Sequence, residues 1–198
     1  MANSLEAAMP IHQESTKSIL GFWIYLMTDC VLFASLFATF AVLRNATYGG
    51  PSGKELFSLP YVLAETLILL TSSFSCGLAL LAARKHAKAV AMTLLALTFV
   101  LGAAFLTLEV KEFRHLASEG NSWRRSGFLS AFFTLVGTHG LHITSGLIWL
   151  AVLFSRIQKT GFDQISLKRL TLFSLFWHFL DVIWIFIFTI VYLLGVIK

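Results

Sequence analysis

The stretch LFWHFLDVIWIFIF, from Leu175 to Phe188, indicates how this chain folds. Twelve of its fourteen residues are apolar and suit a lipid environment, and the other two are His178 and Asp181. A charged side chain at the centre of a bilayer costs about 2.5 kcal/mol or more, so such residues usually face protein, pair with each other or line a water path. Since His178 and Asp181 are three positions apart, they share one side of a helix. The stretch predicts a membrane-spanning helix with a polar site on one side.

The composition extends this interpretation to the whole chain. Of 198 residues, 57% are hydrophobic and 13% are charged, and the mean hydropathy is +0.80. These values are far too apolar for a soluble domain of this size. The two cysteines, Cys30 and Cys76, lie in apolar runs without paired spacing, so we expect neither a disulfide nor a cysteine metal site. The composition predicts an integral membrane protein.

Five apolar runs are long enough to cross a membrane, which takes roughly 20 residues. They are continuously apolar rather than alternating, which disfavours a β-barrel. We predict an all-α integral membrane protein with a single membrane domain over residues 1–198, in which a polar segment at 1–18 precedes a five-helix bundle at 20–197. Residues 1–18 lack the features of a secretory signal, so the first span is expected to be retained. The predicted transmembrane helices are 20–43, 59–83, 90–110, 127–155 and 170–197.

The formal net charge of +5 comes from basic residues in the short connections between the apolar runs. The chain has no basic stripe or nucleic-acid motif, so these residues are interpreted as membrane anchors and topology signals, with no nucleic-acid partner. Eight Lys and Arg residues fall on the side of the amino terminus and seven on the other, and the 84–89 loop carries three of the eight with no acid. This favours an amino terminus in the cytoplasm and a carboxyl terminus in the periplasm.

Seven Asp, Glu and His residues lie inside the predicted spans; Glu109 is near the end of the third span, and the other six form the candidate site. They suggest three alternatives: haem ligation by histidines on facing helices, a path for protons or ions, or a structural polar network that fixes helix packing. No histidine or cysteine pattern with a third ligand indicates a metal site. Spacing does not decide between the path and the network. The six residues are Asp29, Glu65, His139, His142, His178 and Asp181.

Helical geometry gives the depth of these residues in the membrane. At about 1.5 Å per residue, Asp29, His178 and Asp181 lie roughly 12–17 Å from one face, and His142 lies at a similar level. We expect these four residues to form one buried hydrogen-bonded cluster, with Glu65 nearer the opposite face. Small residues around His142 predict a closely packed fourth helix at the centre of the bundle.

Four stretches of the chain resemble a known family. FFTLVGTHGLHITSGLIW, from Phe132 to Trp149, and FWHFLDVIWIFIFTIVYL, which begins at Phe176, resemble the signature of subunit III of the haem–copper respiratory oxidases. GFWIYLMTDCVLFASLFATFAVL, which begins at Gly21, and LPYVLAETLILLTSS, which begins at Leu59, resemble the quinol-oxidising branch. The closest resemblance is to subunit III of the cytochrome bo-type ubiquinol oxidases, and five spans rather than seven also suit that branch.

The resemblance implies a function that the residues alone do not give. It implies a non-redox accessory subunit of a respiratory terminal quinol oxidase in the bacterial inner membrane. That complex oxidises ubiquinol, reduces oxygen to water and pumps protons. The haems and copper would lie in the partner subunit I, and this chain would hold no cofactor, no metal and no catalytic residue. It would pack on subunit I in a complex with subunits II and IV, bind phospholipids, and support assembly and proton delivery.

The resemblance also matches the polar residues of the spans to polar positions of the family. Asp29 matches an intramembrane acid of the family, at a position where the cytochrome c oxidases have Glu, and Glu65 matches the acid of the next helix. The histidines and Asp181 match its polar core residues. The alternative function is a small stand-alone proton or ion channel or transporter.

Overall fold

The structure is a computed structural model that describes residues 2–49, 56 and 58–197. Every regular element in this part of the chain is helical, as predicted. Five helices are long and apolar enough to cross a membrane, so the prediction of five spans is confirmed. The first helix continues back through the predicted polar segment. The elements are α1 Ala2–Leu43, α2 Leu59–Arg84, α3 Lys88–Ser118, α4 Gly127–Thr160, α5 Gln164–Ile187, a π-helix Phe188–Leu193 and α6 Leu194–Ile197.

The helices are longer than the apolar runs that predicted them. α3 continues past 110 to Ser118, and α5 begins at Gln164 rather than 170. Polar residues at these ends stay helical because the backbone hydrogen bonds of a helix are internal and do not depend on lipid. Asp163 caps α5, since its Oδ1 accepts a hydrogen bond from the Ser166 backbone N–H at 2.7 Å. The extension of α3 affects the site, because it places further acidic residues on a helix.

Two helices, α4 and α5, occupy the centre of the bundle. α4 packs against α1, α3 and α5, and α5 packs against α1, α2 and α4. α2 and α3 form an extensive antiparallel pair, and α1 lies at the edge, on α4 and α5. The prediction of a packed fourth helix is confirmed, and α5 shares its central position.

Trp177 of α5 shows why the small residues are needed. Its indole ring, 1% exposed, lies between Gly102 of α3 and Gly146 of α4. A Cβ on either glycine would lie 2.8 Å from the ring, closer than side-chain carbons normally approach. Glycine therefore lets α3 and α4 close around the tryptophan. The indole N–H donates to Ser72 Oγ of α2 at 3.2 Å, so this one side chain contacts three other helices.

Hydrogen bonds from α5 to hydroxyl groups of α2 fix the register of the two helices. Besides the Trp177 bond, Trp184 donates its indole N–H to Thr66 Oγ1 at 3.0 Å. The Ser72 hydroxyl in turn donates to the Thr98 carbonyl of α3 at 3.1 Å. Buried polar groups need such partners because the bilayer core offers no water. Trp177 and Trp184 belong to the apolar stretch that suits lipid, yet both are buried in protein, where their N–H groups find acceptors.

Replacing Gly146 tests this packing. Gly146→Ala should lower the thermal unfolding temperature of the chain in mild detergent, because the added methyl group overlaps the Trp177 ring. Overpacking of this kind costs roughly 1–3 kcal/mol. Gly137→Ala on the same helix is the matched control, since a Cβ there would meet Phe113 at an ordinary 3.6 Å. The control should be neutral or stabilising by up to about 1 kcal/mol. Equal unfolding temperatures for the two variants would contradict the prediction.

Candidate functional site

The six predicted residues lie inside the bundle and differ in how deeply they are buried. Glu65 and His139 are 0% exposed, and Asp29 is 7% exposed. A buried polar group has no access to water and needs a hydrogen-bond partner within the protein. The partner of each side chain therefore indicates its role. The half-buried members are His142, His178 and Asp181.

Asp29 of α1 pairs with His142 of α4. The His142 Nε2 atom lies 3.7 Å from Asp29 Oδ1. The other ring nitrogen, Nδ1, lies 2.8 Å from the carbonyl oxygen of Thr138, one turn earlier in α4. A carbonyl oxygen only accepts hydrogen bonds, so Nδ1 carries a proton. A neutral His142 therefore directs a lone pair on Nε2 towards Asp29.

This geometry can accommodate a proton between the two side chains. An ionised Asp29 beside a neutral His142 would set two acceptors against each other. Attraction across 3.7 Å needs either an imidazolium beside a carboxylate or a carboxylic acid beside a neutral imidazole. The second carboxyl oxygen of Asp29, Oδ2, has no hydrogen-bond partner among the described residues. The pair can thus hold one proton in either of two positions.

His178 of α5 pairs with Ser73 of α2. The His178 Nδ1 atom lies 2.6 Å from Ser73 Oγ, in a hydrogen bond whose direction depends on the imidazole tautomer. Nε2 faces Gly77 of α2, where a Cβ would lie 3.6 Å away. Asp181, one turn later, interacts electrostatically with His178, and its Oδ1 has no hydrogen-bond partner in the described part of the chain. These residues form a second polar group, at the α2–α5 contact.

The structure arranges the four residues expected in one cluster as two separate pairs. Asp29 and His142 meet where α1 packs on α4, whereas His178 and Asp181 lie where α5 packs on α2. Within residues 2–49, 56 and 58–197, no hydrogen bond or ion pair joins the two pairs. Sequence spacing gives the depth of a residue along its helix, but it does not give the neighbour that the side chain faces.

His139 is enclosed by aromatic rings. Its imidazole stacks on Trp184 with ring centroids 5.2 Å apart and an interplanar angle of 28°. Phe105 and Phe33 meet it in edge-on arrangements. Neither ring nitrogen has a hydrogen-bond partner among the residues described. Although His139 shares a helix with His142, its contacts are those of a packing residue.

Glu65 has acidic neighbours that the sequence analysis leaves out of the site. Glu109 is 2% exposed and Glu112 is half-buried, and both interact electrostatically with Glu65. The Tyr192 hydroxyl donates to Glu112 Oε2 at 3.1 Å. Glu109 and Glu112 are three apart, which is a sequence signal for one side of a helix. The predicted end of the third span at 110 places Glu112 in a loop, so the signal is not recognised.

Comparison with known proteins assigns the chain to a family. Residues 12–196 match the family model of cytochrome c oxidase subunit III. The chain belongs to this family. Subunit 3 of the cytochrome bo(3) ubiquinol oxidase of Pseudomonas aeruginosa is 56% identical over 93% of this chain and 88% of its own length. The corresponding subunit of Pseudomonas putida is 54% identical over 94% of this chain and 90% of its own length. Quinol oxidase subunit 3 of Bacillus subtilis is 45% identical over 96% and 93%.

The family assignment confirms the resemblance predicted from the sequence. In this subunit III chain, the polar residues of the bundle are arranged as titratable pairs and an acidic group. Within the part of the chain that the structure describes, no three or more His, Cys, Asp and Glu side chains are grouped so that they could hold a metal ion. The chemistry that these residues can perform is the binding and transfer of protons.

Replacing Ser73 tests the contact between α2 and α5. Ser73→Ala should destabilise the chain by about 1–3 kcal/mol, because it leaves a half-buried imidazole nitrogen of His178 without its partner. Ser35→Ala is the matched control, since Ser35 is exposed on α1 and donates only to the Leu32 carbonyl of its own helix. The control should stay within about 0.5 kcal/mol of the parent. Denaturant unfolding in detergent measures both, and identical midpoints would show that the Ser73–His178 bond contributes no stability.

Proposed function

We propose that this chain is the non-redox accessory subunit of a respiratory terminal quinol oxidase in a bacterial inner membrane. The observation that carries the proposal is the 56% identity, over 93% of the chain, to subunit 3 of a cytochrome bo(3) ubiquinol oxidase. Relatives named quinol oxidase subunit 3 and cytochrome c oxidase subunit 3 share 45% and 44%. Because the identity to the ubiquinol oxidase subunit is higher than the identity to these relatives, it favours ubiquinol as the electron donor. The complex then oxidises ubiquinol, reduces oxygen to water and pumps protons.

The redox chemistry belongs to a partner subunit in this proposal. Subunit I carries the haems and copper, and subunits II and IV complete the complex. The present chain supplies no catalytic residue and no cofactor ligand. The support is that relatives matching nearly the whole chain are named as subunit 3 of a quinol oxidase. Its role is to support assembly, hold lipid and assist proton delivery to subunit I.

α1 offers a surface for contact with subunit I. In an apolar stretch of 18 residues within its span, 22% of the residues are buried in the bundle, the lowest share among the five spans. Large apolar side chains face outward, among them Ile24 at 59% and Val31 at 71% exposure. A partner that covered this helix would lie beside the Asp29–His142 pair. The proposal therefore places subunit I against α1.

The Asp29–His142 pair is suited to exchange a proton with that partner. The two side chains lie 3.7 Å apart and can share one proton, and Oδ2 of Asp29 has no hydrogen-bond partner among the described residues. A proton that arrives at Oδ2 can leave from the imidazole, because a proton on either side chain satisfies the contact. The carboxylate and imidazole act as one acceptor and donor, with no covalent change in either.

A groove between α3 and α4 is suited to a phospholipid. Met92, Ala96 and Phe154 line its apolar length, and Lys88 and Gln158 lie at its end. An acyl chain would occupy the apolar part, and the Lys88 ammonium group would attract the phosphate of the headgroup. With the amino terminus in the cytoplasm, as proposed from the loop charges, this end of the groove lies on the cytoplasmic side.

A stand-alone channel or transporter is not favoured. The relatives that match nearly the whole chain are named as subunits of an oxidase, at identities between 42% and 56%. A channel would also need a continuous polar path through the chain, whereas the polar groups described above lie in separate pockets.

Purification of the tagged chain from its native membrane in mild detergent tests the assignment. We expect an assembly much larger than 22.0 kDa that contains haem and copper and oxidises ubiquinol. Val31→Trp on α1 should reduce the recovered haem by more than about twofold, because overpacking at an interface costs roughly 1–3 kcal/mol. Leu67→Trp on α2 is the control, at 56% exposure against 71%. A lone 22.0 kDa chain would contradict the subunit assignment, and equal recovery with the two variants would contradict the α1 contact.

Asp29→Asn tests the proton-holding pair. The amide keeps the shape of the side chain but cannot release or accept the carboxyl proton, so assembly should persist while turnover falls about 2- to 10-fold at alkaline pH, where protons are scarce. Asp163→Asn is the control, because this surface acid lies outside the spans and asparagine still caps a helix. Ubiquinol oxidase activity is measured against pH for both variants. Matching pH profiles would show that Asp29 has no part in proton supply.

A further inference from the structure

Three carboxyl groups and two phenols lie together near the end of the bundle where α2 begins and α3 ends. Glu65 and Tyr61 come from α2, Glu109 and Glu112 from α3, and Tyr192 from the π-helix. We call this group the carboxyl cluster. Glu65 interacts electrostatically with Glu109 and Glu112, and Tyr192 interacts with all three acids. None of these residues belongs to the Asp29–His142 pair or to the His178 group.

Two members of the carboxyl cluster are buried without the partners that a carboxylate needs. Both oxygens of Glu65, which is 0% exposed, lack a hydrogen-bond partner within the described residues, and so does Oε2 of Glu109. The Glu109 carboxyl lies against Gly140 of α4, where a Cβ would be 2.7 Å from Oε1. The acid therefore fills the space that a side chain at 140 would need. Glu65 points from a different helix at the same group of acids.

Among the described residues, no Lys or Arg forms an ion pair with these acids. The three ion pairs of the described residues are His115–Glu119, His142–Asp29 and Arg156–Asp163, and none includes a member of the cluster. From α2 the facing titratable group is Tyr61, which donates its hydroxyl to the Leu108 carbonyl. From the π-helix it is Tyr192, which donates to Glu112.

The nearest histidines do not neutralise the cluster either. His139 of α4 stacks on Trp184 and has no hydrogen bond to an acid among the residues described. His115 of α3 interacts electrostatically with Glu112, but its side chain is 71% exposed at the surface. Three carboxylates in mutual reach cannot all be ionised in a low-dielectric site without a cation. Within the part of the chain that the structure describes, no basic side chain pairs with Glu65 or Glu109.

The cation that fits this site is the proton. The described residues contain no group of acids and histidines arranged so that it could hold a metal ion. A proton needs only one carboxyl oxygen at a time, and the free oxygens of Glu65 and Glu109 provide such positions. Each transfer between two carboxyl groups breaks one O–H bond and forms another, so no further reactant is required.

α3 also connects the cluster with the membrane surface. Glu109, Glu112, His115 and Glu119 follow one another at spacings of three and four, so they lie along one side of the helix. Burial decreases along this row, from 2% exposure at Glu109 through the half-buried Glu112 to the exposed pair of His115 and Glu119, whose atoms lie 3.4 Å apart. Titratable groups therefore lead from the surface into the bundle.

We propose that the carboxyl cluster is a proton-binding site in which Glu65 and Glu109 carry protons and Glu112 connects them with the membrane surface at the end of α3. This site is separate from the Asp29–His142 pair. It would store protons near the membrane face opposite to the one from which Asp29 is reached. The proposal does not depend on the identity of the electron donor of the oxidase.

Infrared difference spectroscopy tests the protonation directly. The probe is the carbonyl stretching band of a carboxylic acid, recorded at neutral pH on the chain purified with the subunits that accompany it. Glu65→Gln and Glu109→Gln should each remove intensity from this band, because a protonated acid is lost. Glu119→Gln should leave the band unchanged, because Glu119 is exposed at the surface. Loss of carboxylate bands instead would show ionised acids and overturn the proposal.

A second variant separates protonation from misfolding. Glu65→Asp keeps an acid in the site and should shift the band without removing it. If Glu65→Gln failed to fold, an unshifted band in Glu65→Asp would overturn the proposal by itself. A metal ion recovered at one per chain and lost in both Glu65 and Glu109 variants would also overturn it, since the metal would then neutralise the acids.

The connection through Glu112 is tested by exchange in heavy water. The acid band shifts when deuterium replaces the proton, and the rate of this shift measures access from the surface. Glu112→Gln should slow the shift about tenfold or more, because the amide still accepts the Tyr192 hydroxyl but no longer relays a proton. Asp163→Asn, at a surface acid outside this row, should exchange at the parent rate. An unchanged rate in Glu112→Gln would show that protons reach Glu65 and Glu109 by another route.

Discussion

A polar group in the membrane interior has no water to bind, so it must form its hydrogen bonds within the protein. The contact between α2 and α5 satisfies this constraint. The indole N–H groups of Trp177 and Trp184 and the imidazole of His178 all meet hydroxyl groups of α2. Three such hydrogen bonds fix the position of α5 along its axis and its rotation about that axis, both relative to α2. With that rotation set, Trp177 enters the gap at Gly102 and Gly146 and Trp184 stacks on His139, so the positions of α3 and α4 follow from the same bonds.

The sequence predicts the number of membrane-spanning helices well, because hydropathy measures how apolar a segment is and a spanning helix must be apolar along its length. The sequence predicts less well which side chains pair with each other, since this depends on how each helix is rotated about its axis. Asp29 and His178 lie at similar depths, yet they face different helices and belong to different pairs. Glu112 shows a second cause of failure. It lies beyond the apolar run, but α3 continues there as a helix, so an acid expected in a loop becomes part of a buried group. The hydrogen bonds that Trp177 and Trp184 form between helices could not be predicted either, because composition alone counts both residues as apolar and suited to lipid.

The polar groups of the bundle fall into two kinds. Hydroxyl and indole groups such as Ser72 and Trp177 are neutral and fully used in hydrogen bonds between helices. The acids Asp29, Glu65 and Glu109 each keep at least one oxygen without a partner among the described residues. Neutral groups thus hold the helices together, while the groups able to change charge keep unused acceptor atoms. An unused acceptor in a membrane interior costs stability, and this cost is the basis for proposing that these acids bind protons.

The positions of the two proposed proton-binding sites bear on whether the chain acts alone. At about 1.5 Å per residue, Asp29 lies roughly 15 Å from the start of the first span, and Glu65 lies roughly 9 Å from the start of α2, on the opposite face. Between these levels His139 is surrounded by Phe33, Phe105 and Trp184, and its nitrogens have no hydrogen-bond partner within the described residues. Aromatic carbon atoms cannot relay a proton. Among the described residues, His139 therefore does not connect the two proposed sites by hydrogen bonds, which agrees with the proposal that the chain serves a partner subunit.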